Sequence, residues 1–137
     1  MSQEVCAALR VLVQQRASGL CEYCLLHEDD ALLSHEVDHV IATKHRGLTD
    51  ESNLAWSCWV CNRLKGSDIA SLDVDTGRLV RLFNPRSDAW ADHFRLEEAK
   101  ITPLTPEGRV TEFLLQLNRP DRLARRRLFL LAGRYLR

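Results

Sequence analysis

The chain has no run of about 18 apolar residues, so it offers no candidate membrane span. Its first residues lack a basic segment followed by an apolar one, and no secretory signal is predicted. Reduced cysteines and a cytoplasmic location are therefore expected. No internal repeat and no low-complexity linker stands out. Net charge is missing as well: 19 Lys+Arg balance 19 Asp+Glu over 137 residues. Taken alone, that balance argues against a polyanionic partner. What is present is globular composition, 45% hydrophobic and 28% charged, which excludes wholesale disorder. At this length one domain is expected, burying roughly 70% of the unfolded chain's surface without help from disulfides.

The charge is unevenly spread. Residues 21–71 carry a net −5, and residues 101–137 carry +5 through eight arginines. An acidic block holding His and Cys suits metal; a basic end suits phosphate. Among five cysteines, Cys21, Cys24, Cys58 and Cys61 form two C-x2-C pairs separated by 33 residues. Each pair places two thiolates around a common point, and two pairs complete a tetrahedron. Four thiolates leave no open position, so the spacing predicts a structural zinc that staples the intervening segment. Cys6 is expected to be a buried small apolar side chain.

The coarse pattern predicts a helix over 2–18, capped by Ser2 and stopped by Gly19, with Val5, Leu9, Leu12 and Val13 on one face. A strand is expected within 34–41 and a short apolar run at 54–56, with Trp56 in the core. A helix follows over 62–70. A hairpin turns at Asp75-Thr-Gly77. Ser87 is expected to cap a short helix through His93, and 94–103 to be extended. Further helices are predicted over 108–117 and 120–136. In the last, Ala124, Leu128, Leu131 and Tyr135 line one side and Arg122, Arg125 and Arg126 another. Trp59, inside the second cysteine pair, is expected to pack on the zinc shell, with contact to a base as the alternative.

The pentapeptide His35-Glu-Val-Asp-His39 matches H-E-x-x-H, which on a helix is a zinc-protease motif with Glu36 as base. The β-branched cluster Val37, Val40 and Ile41 favours a strand instead. The 33 residues between the cysteine pairs also leave little room for a protease cleft.

A second pattern uses Asp38-His39, Asn53 and Asn62 together. The run Glu36-Val-Asp-His-Val-Ile41, then Asn53-Leu54, then Cys58-x-x-Cys-Asn-Arg-x-Lys-Gly66 resembles the HNH endonuclease family with a four-cysteine zinc. Leu82-Phe-Asn-Pro-Arg86, Trp90-x-x-His-Phe94 and Asn118-Arg-Pro120 are similar to a bacterial subset of small free-standing members. The resemblance implies an α+β fold: a zinc-stapled ββα-metal core over 21–70, the N-terminal helix 2–18 and an extension over 71–137 with a basic helix. It implies His39 as general base and Asn53 as the residue orienting the loop. Asp38 and Asn62 would be ligands of one catalytic Mg or Mn ion. The implied activity is hydrolysis of DNA, duplex DNA above all, to 5′-phosphate and 3′-hydroxyl ends. The chain departs from the family pattern at Ala42, where Pro is common, and at Arg46-Gly47, where Gly-Gly is usual. Lys65, Arg63, His45, Arg122, Arg125 and Arg126 are the expected nucleic-acid contacts. A homodimer is compatible with one cut per chain. The competing class is a zinc-containing nucleic-acid- or protein-binding module without turnover.

Overall fold

In the computed structural model, which describes residues 4–135, short helices alternate with three two-stranded antiparallel sheets. The fold is α+β. The order is α1 (Ala7–Arg16), β1 (Glu36–His39), β2 (Leu54–Ser57), α2 (Trp59–Lys65), β3 (Ala70–Asp73), β4 (Arg78–Arg81), α3 (Trp90–His93), β5 (Phe94–Glu97), β6 (Lys100–Pro103), α4 (Pro106–Leu114) and α5 (Pro120–Leu131). β1 pairs with β2, with Asp38 opposite Ala55 and His39 opposite Leu54.

Every residue of β2 is buried. Its two faces serve different cores: Leu54 and Trp56 pack with Val13, Leu9 and Val5 of the N-terminal segment, while Ala55 faces the cysteines. That double burial explains why Leu54-Ala-Trp56 reads as an unbroken apolar run rather than as alternation. The second core joins both cysteine pairs to the C-terminal half. Tyr23 meets Phe83 edge-on at 6.3 Å between ring centroids, Phe83 meets Phe94 at 5.3 Å, and Trp90 lies against Phe94 at 5.2 Å. The Trp90 indole also donates to the Tyr23 carbonyl at 2.9 Å. The Leu82–Arg86 and Trp90–Phe94 stretches thus seat the first cysteine turn.

Several predicted boundaries move. α1 begins at Ala7, and Cys6 stands exposed at its N-cap rather than buried. The predicted cap, Ser2, lies outside the described residues. Leu12 is exposed, because the helix inserts only Val13 fully. α2 starts three residues earlier than predicted, because the Cys58 sulfur accepts the Cys61 amide at 3.4 Å and caps it. It ends at Lys65, where Gly66 takes φ 51°, a conformation open to glycine. α3 has Ala89 at its N-cap position with no side-chain cap, and the Ser87 hydroxyl turns to the Asp88 carboxylate instead. α4 runs from Pro106 under a Thr105 cap.

The largest departure is the face of α5. Leu128 and Leu131 are 65% and 81% exposed, whereas Arg126 is buried. Ala124, Leu128 and Leu131 point outward while Tyr135 is buried, and of the arginines Arg122 and Arg126 turn inward while Arg125 stays exposed. The Arg126 guanidinium donates to the carbonyls of Ala99 and Leu117 at 2.8 and 2.9 Å and to the Tyr135 hydroxyl at 3.3 Å. Tyr135 in turn donates to the Cys24 carbonyl. Leu136, the end predicted for this helix, lies outside the described residues.

Candidate active site

The ligand sulfurs of Cys21, Cys24, Cys58 and Cys61 all lie within 4.8 Å of one another and are buried. Cys24 and Cys58 sulfurs are 3.7 Å apart. A tetrahedral zinc with bonds of about 2.3 Å has ligand edges of about 3.8 Å. The donor set fits a structural zinc, as the spacing predicts. Amides support the sulfurs: Cys24 donates to Cys21 at 3.5 Å and Cys61 to Cys58 at 3.4 Å. The Arg122 guanidinium adds a cation, 3.1 Å from the Cys61 sulfur and 3.8 Å from that of Cys58. Burial opposes its charge, but the thiolates of Cys61, Cys24 and Cys58 outweigh burial and hold its pKa above the ordinary range.

β1 ends beside this centre. Asp38 is 4% exposed and faces inward. Its carboxylate accepts the Tyr23 hydroxyl at 2.6 Å and the Lys65 ammonium at 3.2 Å. Burial raises the Asp38 pKa, and Lys65 and Tyr23 pull it back. Lys65, at 1% exposure, also donates to the carbonyls of His39 and Val40 at 3.2 and 3.0 Å. This wedge fixes α2 against the last residues of β1. Lys65 was expected to touch nucleic acid; its ammonium is instead committed inside. Tyr23 is a residue that sequence reasoning missed, although it sits between two recognised ligands.

His39 is the last residue of β1 and only half-buried. Its Nε2 lies 2.8 Å from the Thr49 hydroxyl. If Nε2–H donates to Thr49, Nδ1 carries the free lone pair. Desolvation lowers the His39 pKa, with Lys65 acting in the same sense and Asp38 opposing both. That shift favours the neutral ring. Thr49 comes from the loop between β1 and β2, and Asn53 holds that loop. Its Oδ1 accepts the Ile41 amide at 2.9 Å, and its Nδ2 donates to the carbonyls of Ile41 and Leu48, each at 2.9 Å. Gly47 makes this possible: a Cβ there would stand 1.7 Å from the Ile41 oxygen and 2.8 Å from Asn53 Nδ2. Arg46, in the place of the usual first glycine, takes φ 72° all the same. Ala42 has φ −60°, the value proline would impose.

Asn62 lies mid-way along α2, half-buried, and no described residue bonds its side-chain amide. Asp38 keeps lone pairs beyond its two hydrogen bonds, and a cation already sits against it. An anionic carboxylate and an amide oxygen are hard donors suited to Mg or Mn. Arg63 is exposed on α2, and His45 and Arg125 are exposed on the loop and on α5. Arg122 and Arg126 spend guanidinium hydrogen bonds on the Cys61 sulfur and on backbone carbonyls. His35 does not join His39. It precedes the strand, its Nε2 lies 2.8 Å from the Leu26 carbonyl, and four extended residues separate the two α-carbons by about 13 Å. The H-E-x-x-H geometry of a helix is not formed.

Residues 21–68 match the HNH endonuclease family. No curated protein and no solved structure matches the chain.

Proposed function

We propose that the chain, with residues 21–68 matching the HNH endonuclease family, is a divalent-metal-dependent nuclease that hydrolyses DNA phosphodiester bonds. One observation carries this reading: His39 is half-exposed at the end of β1 and tied through Nε2 to Thr49, on the loop that Asn53 locks. A phosphodiester resists attack because its oxygens already carry negative charge, so hydrolysis needs an activated water and cationic compensation. A neutral His39 takes the proton from water through Nδ1, while Thr49 fixes the tautomer and ring plane. Asn53 keeps Thr49 in reach. Asp38 and Asn62 would hold the ion, which would supply charge compensation at the phosphate and the leaving oxygen. Lys65 and Tyr23 orient Asp38 from behind. The cysteine centre fixes α2, and hence Asn62, relative to β1. Arg63 and His45 stand exposed where phosphates approach.

The test is relaxation of supercoiled plasmid by zinc-loaded protein with Mg or Mn, followed by ligation of the nicks. The expected result is metal-dependent nicking that ligase seals, as 5′-phosphate and 3′-hydroxyl ends require. No nicking over all divalent metals with fully zinc-loaded protein would leave the binding-module reading in its place.

A further inference from the structure

On α2 the outward side chains form one stripe. At 100° per residue, Asn62, Trp59 and Arg63 follow one another within about 100° of arc, away from the buried Cys61 and Lys65. Trp59 precedes Asn62 by one turn, about 4.5 Å along the axis. The Trp59 ring was expected to pack on the zinc shell. It is instead 38% exposed, with the Arg63 guanidinium 4.8 Å from the ring centroid. The ring also borders a cavity of about 270 Å³ walled by Leu32, Leu33, Val60 and Phe129.

The charges around this cavity are simple once their partners are assigned. Arg122 and Arg126 line it but are bonded inward to sulfur and carbonyls. Arg119 holds Asp121, the one acid on the wall, at 2.6 Å. Arg125 remains on the wall, and Arg63 reaches it only through the Trp59 ring on which it lies; no described carboxylate pairs with either. The result is an aromatic ring with the Arg63 guanidinium on it, an apolar recess with the exposed Arg125 on its wall, and Asn62 on the same face of α2 as the ring.

We propose that this recess is a base-binding subsite, in which a nucleobase of the substrate strand unstacks onto Trp59 while Arg63 and Arg125 hold the adjoining phosphates. The proposal rests on the nuclease reading for its substrate. A strand advances about 3.4 Å per nucleotide when stacked, so the base lies on the order of one or two nucleotides from the phosphate at Asn62. An apolar peptide would fill the recess but leave both cations unanswered, so the charge pattern favours nucleic acid. Aromatic stacking of bases is sequence-tolerant, which gives the subsite a preference for unpaired or easily opened DNA rather than for one sequence.

The experiment measures binding of a fluorescent single-stranded 12-mer and its duplex by anisotropy. It uses the zinc-loaded His39→Ala protein, so that cleavage does not intervene. Trp59→Ala, Trp59→Phe and Arg63→Gln are compared, with zinc content and melting temperature confirming the fold. Trp59→Ala is expected to weaken single-strand binding about 5- to 150-fold, the equivalent of one stacked base. Trp59→Phe should retain most of the affinity, and an oligonucleotide abasic at every position should abolish the difference between the parent and Trp59→Ala proteins. Equal affinity for parent and Trp59→Ala overturns the subsite and leaves an apolar peptide as the occupant. Trp59-dependent binding without any cleavage by wild type overturns the nuclease reading and not the subsite. Cleavage with Trp59-independent binding does the reverse.

Discussion

Lys65 is the most deeply buried cation among the described residues, and its partners come from 25 to 27 residues away in sequence. Nothing local marks it: Asn-Arg-x-Lys at the end of a helix reads as a solvated, phosphate-facing basic end. Its interior role follows from Asp38, which β1 turns toward α2 and which needs a counter-charge once out of water. Breaking such a pair leaves a buried charge uncompensated, at about 3–5 kcal/mol. Asp38→Asn and Lys65→Met should each destabilise the protein by that order in urea titrations. The double variant should lose less than the two single losses added, and strict additivity would remove the ion pair from the fold's support. His39, Asn53 and Asn62, the residues of the proposed site, could be named from their order in the sequence through the HNH resemblance. Thr49 and Tyr23 could not. A hydroxyl set against an imidazole or a carboxylate has no spacing rule, and each is identified only by the atom it reaches.

The β1–β2 loop is the element on which the site depends. Three hydrogen bonds from Asn53 close it, and Gly47 is packed against the Ile41 carbonyl that one of them uses. Asn53→Ala leaves two carbonyls and an amide short of partners, a loss of about 2–4 kcal/mol. It should also release Thr49, so turnover should fall by more than bound-substrate affinity. Gly47→Ala should do the same, because the obstacle is backbone. Ala42→Pro, in contrast, should be tolerated or stabilising by about 0.4–1 kcal/mol. Thermal melts with steady-state kinetics check all three; unchanged turnover in folded Asn53→Ala would detach the loop from the chemistry. At this scale the sequence was informative where burial is ordinary. β1 follows from its β-branched residues, β2 from its short apolar run and the β3–β4 hairpin from turn chemistry. α5 was misread because apolar periodicity assumes that apolar residues go in. Here the thiolates and the bare carbonyls of Ala99 and Leu117 demand donors, and arginines satisfy them.

For the whole molecule, the zero net charge resolves into an inner and an outer account. Part of the C-terminal positive charge neutralises the cysteine centre rather than facing solvent. Arg122→Met should therefore weaken zinc retention against a chelator about 10- to 100-fold, the usual effect of an outer-shell partner. Its effect on DNA affinity should be small. Arg125→Gln should leave zinc retention unchanged and reduce the salt slope of DNA binding by about 0.9. The reverse assignment would show that Arg122 faces the nucleic acid. The arginine-rich end was visible in the sequence, but its division between metal and solvent was not, because that depends on how α5 is rotated.

The central claim is that His39 is the base. The direct measurement is the single-turnover cleavage rate of a labelled duplex from pH 5 to 8.5, for wild type and His39→Ala with equal zinc content. Only the neutral imidazole accepts a proton, and the His39 pKa lies below its ordinary 6.5. The rate should therefore rise with pH through a limb centred below 6.5 and level off above it. His39→Ala should fall about 10²- to 10⁴-fold and lose that limb. A variant as fast as wild type, or one that keeps the same acidic limb, would contradict the assignment.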